Sequence, residues 1–160
     1  MEYAPTLRDF GPAPSEDQVN ALLDNIRLLS QTNCREEVYR RCFNCIDLTS
    51  LGATDSRRSI TEFTKKAIDL PRMFPKAGSV ASVCVWPVFV ETVGLAAGDS
   101  KLAITSVAGG FPSSQTYLEV KMLETAMAIE NGADEIDIVI SIGETLDGEY
   151  DLMGNEIETL

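Results

Sequence analysis

From Cys45 onward four short apolar stretches, CIDLTSL, SVASVCVWP, LAITSVAGG and EIDIVISIG, alternate with helix-like segments over 56–70, 88–97 and 114–131. Strand, helix and strand in repeated succession permit little except a parallel sheet with right-handed crossovers. A doubly wound sheet of flavodoxin type and part of a (β/α)8 barrel both fit, but they make different demands on the strands. The first buries both sheet faces and wants near-continuous Val, Ile and Leu. The second packs one face under helices and turns the other towards an interior that carries polar groups at its active end.

Taking alternate residues decides between them. Ile46 and Leu48 share one face of the first strand, and Cys45, Asp47 and Thr49 share the other. Ala81, Val83 and Val85 oppose Ser82, Cys84 and Trp86; Leu102 and Ile104 oppose Ala103, Thr105 and Val107; Ile136, Ile138 and Ile140 oppose Glu135, Asp137 and Val139. One face is aliphatic and the other small or polar, which predicts an α/β barrel of the TIM type. A full barrel takes about 250 residues, roughly 30 per unit, so 45–160 holds about the first four β-α units. The preceding 1–44 reads as a lead-in that is extended over 1–14. A helix follows from Ser15, whose capping box with Gln18 precedes Val19, Leu22, Leu23, Ile26 and Leu29 at helical spacing. A shorter helix is expected over 34–41, capped by Asn33.

Asp137 lies in the run EIDIVI, where a buried carboxylate needs a partner or a task. Either it takes part in proton transfer or it accepts structural hydrogen bonds at a strand end. The chain has no histidine, which excludes Ser-His-Asp and Cys-His mechanisms within it and leaves acid/base work to Asp, Glu, Lys, Tyr or Cys. The net charge of −12 argues against nucleic-acid and anionic-membrane partners, while leaving room for one small phosphorylated ligand. Four cysteines at irregular spacing form no disulfide framework, and CFNC at 42–45 lacks the further ligands of a structural zinc site, so no metal is expected. The sequence reads as cytoplasmic. Lys65, Lys66, Lys76, Lys101 and Lys121 all read as surface charges.

Four motifs, IDLTSL at 46–51, SVCVWPVFV at 82–90, AITSVAGGFPSS at 103–114 and ENGADEIDIVI at 130–140, occur in an order and at separations that resemble deoxyribose-phosphate aldolase. The resemblance implies a class I aldolase, a lyase of deoxyribonucleotide catabolism. It would cleave 2-deoxyribose 5-phosphate reversibly to glyceraldehyde 3-phosphate and acetaldehyde through a lysine Schiff base, without cofactor or metal. It matches Asp137 to the proton-relaying aspartate, Asp47 to a supporting aspartate of the first strand, and Thr49 and Cys84 to pocket-lining positions. The family's Schiff-base lysine, in a later K-T-S-T-G-like motif, has no counterpart here, so this chain alone is expected to be inactive and to need the missing C-terminal half of the barrel. A homodimer is a further implication. The alternative is a non-catalytic half-barrel or flavodoxin-like module that binds a phosphorylated ligand. Asp134 and Glu135 are expected to cap the preceding turn or face the inactive end, and Ser113 or Ser114 to cap the following helix.

Overall fold

The computed structural model describes residues 11–160 together with Tyr3, Pro5 and Leu7. Of the extended lead-in read over 1–14, residues 1, 2, 4, 6 and 8–10 lie outside the described residues, and Pro5 and Leu7 are helical.

Four parallel strands, β1 (Asp47–Ser50), β2 (Ser82–Val85), β3 (Ala103–Ala108) and β4 (Glu135–Ile138), form one sheet in the order β1-β2-β3-β4. A flavodoxin-type sheet would reverse its strand order at a switch point. Sequential order has no such reversal, so the flavodoxin-like alternative does not describe this sheet.

From residue 11 onward the α-helices are α1 (Glu16–Ser30), α2 (Glu36–Asn44), α3 (Arg57–Met73), α4 (Val90–Ala97), α5 (Leu118–Glu130), α6 (Ile142–Asp147) and α7 (Tyr150–Thr159). The capping box of α1 forms as the sequence predicts, with Ser15 Oγ accepting from Gln18 N and Gln18 Oε1 from Ser15 N. Yet no residue of α1 is buried, so its apolar stripe is uncovered among the described residues. Three helix starts differ from expectation. Asn33 belongs to a 3-10 turn, and Arg35, with no side-chain bond, precedes α2. Pro87–Phe89 is likewise a 3-10 turn, and α4 begins at Val90. Neither Ser113 nor Ser114 caps α5, which starts after Tyr117; Ser114 has φ 57°, a left-handed turn conformation that cannot lead into a right-handed helix. Gly98 and Gly132, at φ 55° and 100°, follow α4 and α5 where a side chain would be strained.

Ile60 and Ala67 of α3, Val90 and Val93 of α4, and Val83, Val85 and Ile104 of the sheet form the buried core, with Leu48 packed against it. The aliphatic strand face therefore lies under the helices, as alternation predicts. Ile136 and Ile138 are only half-buried and Ile140 is exposed, because fewer side chains cover the β4 edge.

Candidate active site

On the opposite face, parallel register aligns Asp47 with Ser82, Thr49 with Cys84, Cys84 with Thr105, Thr105 with Glu135, and Val107 with Asp137. The four predicted site residues thus share one surface formed by β1, β2 and β4. A hydroxyl chain crosses it. Ser82 Oγ donates to Asp47 Oδ1 at 2.8 Å, and Thr105 Oγ1 lies 2.7 Å from Ser82 Oγ and 3.2 Å from Glu135 Oε2. The single Thr105 proton serves one of those two acceptors at a time. Thr49 Oγ1 donates to Asp47 O at 2.8 Å.

Sequence reasoning missed the middle of this chain. Ser82 and Thr105 were visible only as small polar residues on the right face, and their bonding depends on inter-strand register. Asp134 does tie down a strand start, since its Oδ2 accepts from Ile104 N at 2.9 Å. Glu135 shares the Asp137 face, as alternation predicts, and as the first residue of β4 it lies two residues nearer the N-terminal, inactive end of the strands.

Two expectations need correction. Asp137 is not buried here: it lies exposed on the open face at the β4 edge, and among the described residues no group donates a hydrogen bond to its carboxylate. Its neighbours along the strand are apolar, but they point to the other side. Lys121, read as a surface charge, is 2% exposed. Its Nζ donates to Glu156 Oε2 at 2.6 Å and to Ser114 Oγ at 2.7 Å, between the helix layer and the loop after β3. The other four lysines, at 65, 66, 76 and 101, lie in α3, the loop after it and the segment before β3, so no lysine falls within a strand.

Cys84 is 2% exposed, and its thiol is held above the ordinary range. Burial is the main cause, the negative charge of Asp137 the next; a hydrogen bond with Thr49 opposes them and Asp47 adds a further upward push. The thiol therefore senses both aspartates across the face. Among the described residues no group of three or more His, Cys, Asp or Glu side chains could hold a metal, and no helix is long and apolar enough to cross a membrane.

No family model matches the chain. It is 42% identical over 115 residues to the deoxyribose-phosphate aldolase of Halalkalibacterium halodurans, covering 72% of this chain and 48% of that protein. The Bos taurus deoxyribose-phosphate aldolase is 34% identical over 127 residues, covering 73% and 40%. Among solved structures, QR15, an aldolase, superimposes with a TM-score of 0.62 at 29% identity over 73% of this chain and 48% of its own. The chain is homologous to about half of a deoxyribose-phosphate aldolase. The tetrameric deoxyribose phosphate aldolase from Aeropyrum pernix, at 22% identity and a TM-score of 0.59, shares the fold over 89% of this chain and 56% of its own. The chain spans about half the length of the aldolases it matches.

The deoxyribose-phosphate aldolase relationship leaves the thiol chemistry of this face open to direct measurement. Alkylation should distinguish three exposed cysteines, Cys34, Cys42 and Cys45, from the slow, buried Cys84. In Asp137→Asn the Cys84 reactivity profile should move to lower pH, because one of the charges that disfavours its thiolate is gone. Mass-resolved maleimide labelling against pH reads this, and an unmoved profile would mean that Asp137 does not act on the thiol.

Proposed function

We propose that this chain supplies the first four β-α units of a (β/α)8 deoxyribose-phosphate aldolase, preceded by an N-terminal helical segment, and that its polar sheet face is one side of the active site. The reaction is the reversible cleavage of 2-deoxyribose 5-phosphate to glyceraldehyde 3-phosphate and acetaldehyde. In Schiff-base chemistry a lysine amine condenses with the substrate carbonyl, and the protonated imine accepts the electron pair of the breaking C–C bond. Asp137 takes the proton from the substrate hydroxyl as that bond breaks, and returns protons during formation and hydrolysis of the imine. Asp47, held by Ser82, orients substrate hydroxyls. Thr49 and Cys84 line the pocket between the two aspartates.

The observation that carries this reading is the shared face: Asp47, Thr49, Cys84 and Asp137 come from three different strands and align through parallel register. That face contains carboxylates, hydroxyls and a thiol but no lysine among its strand residues. The nucleophile and the phosphate-binding groups therefore come from the complementary half of the barrel. That half is the principal partner, and self-association of completed barrels is a further part of the proposal.

The test joins this chain in one reading frame to the remaining half of the Halalkalibacterium halodurans aldolase. The fusion is expected to cleave 2-deoxyribose 5-phosphate and to be trapped by borohydride at a lysine of the added half, while the 160-residue chain shows neither. A folded fusion without turnover or adduct, or turnover by this chain alone, would sink the reading.

A further inference from the structure

The loop between β3 and α5 forms the rim of the polar face at the C-terminal end of the strands, where barrel enzymes carry out their chemistry. It is pinned from α5 at two points. Gly110 N donates to Glu124 Oε2 at 2.9 Å, and Lys121 Nζ donates to Ser114 Oγ at 2.7 Å. Ser114 is itself buried, with φ 57°, a conformation that disfavours serine unless its surroundings hold it. Its N–H donates to Gly110 O at 2.9 Å, and Thr116 N donates back to Ser114 O at 3.0 Å, so the left-handed residue closes the turn. Between the two pins, the Phe111 ring meets Trp86 edge-on, centroids 5.8 Å apart and planes at 69°. Trp86 follows β2 directly, two residues beyond Cys84. Lys121 is in turn fixed by Glu156 of α7 at 2.6 Å.

We propose that Lys121 is a positioning residue: with Glu156 as its counter-charge, it holds Ser114 in the left-handed turn and so seats Phe111 against Trp86 at the rim of the site. Its bearing on catalysis rests on the aldolase reading, but the positioning itself does not. The ammonium is committed to two acceptors between the helix layer and the loop after β3 and is not the Schiff-base nucleophile. Its part is to fix a loop across which substrate enters.

Trp86 is the chain's only tryptophan, so its fluorescence reports on the Phe111 contact in the full 160-residue protein without any need for turnover. Ser114→Ala removes the acceptor for Lys121, together with the weaker 3.3 Å hydrogen bond that Ser114 Oγ donates to Glu156 Oε1, and leaves the Lys121–Glu156 ion pair in place. Loss of a hydrogen bond from a charged donor should raise the population of the displaced loop about ten-fold. The reading is a red-shifted Trp86 emission and stronger acrylamide quenching, with far-ultraviolet circular dichroism unchanged. Lys121→Met combined with Glu156→Met, which removes both charges, should give the same signature in a folded protein. If Trp86 emission and quenching are unchanged in Ser114→Ala, the positioning role is refuted, whatever the double variant does. Absence of aldolase activity in the fusion would refute the function and leave this result standing.

Discussion

Replacing Asp137 by Asn is expected to lower kcat of the completed aldolase by about 10²- to 10⁴-fold, the range contributed by a positioned proton-transfer group. Asparagine keeps the shape and one acceptor oxygen but cannot take a proton, so KM should change far less than kcat. Two other carboxylates share the face, and the geometry separates their roles. Asp47 is held by Ser82, and Glu135 lies near Thr105 at the N-terminal end of β4. Asp137 is two residues closer to the C-terminal, active end and its carboxylate accepts no hydrogen bond among the described residues, which leaves both oxygens available to substrate or water. Glu135→Gln should therefore cost much less than Asp137→Asn. Steady-state kinetics of both variants in the fusion decides the matter: equal losses would move the proton relay away from Asp137.

That the four candidate residues share one sheet face was legible because the information is local. A strand alternates with period two, so Asp47, Thr49, Cys84 and Asp137 could be assigned to a common side without knowledge of which strand lies beside which. The sequential order β1-β2-β3-β4 then brought those sides together. The Ser82 and Thr105 chain was not legible, since it depends on register between strands more than 20 residues apart along the chain. The exposure of Asp137 was not legible either, because its apolar neighbours in sequence, Ile136 and Ile138, turn to the helix side and do not surround the carboxylate.

Lys121 was misread for a different reason. Helix α5 is apolar on most sides, so hydropathy does not select its inward face. Leu123 and Met127 are 61% and 51% exposed, while Lys121, Thr125 and Ala128 are buried. Positions 121, 125 and 128 do form one helical stripe, and small residues at two of them let the helix approach its neighbours closely. That spacing was the available signal. The partner that makes a buried ammonium tolerable, Glu156, lies 35 residues away on another helix and could not be paired with it from sequence.

That pairing makes Lys121→Met the substitution with the largest expected effect on stability. Removing one member of a buried ion pair strands the other charge in a poorly solvated place, which typically costs about 3–5 kcal/mol. Such a loss is a large part of the 5–15 kcal/mol that holds an ordinary domain together. Among the described residues the Glu156 carboxylate would keep only the Ser114 hydroxyl, 3.3 Å from Oε1, once the ammonium is gone. Adding Glu156→Met should recover most of the loss, because two apolar side chains can fill the space without any desolvated charge. Urea unfolding of the three variants reads this as a midpoint that falls in Lys121→Met and returns in the double variant at similar slope. If Lys121→Met and Glu156→Met instead cost little singly and add simply, the pair is solvated and contributes as a surface bridge would. A recovered midpoint together with a Trp86 signal that stays displaced would separate the two duties of this lysine: the ion pair can be replaced by apolar packing, but the hydrogen bond that holds Ser114 cannot.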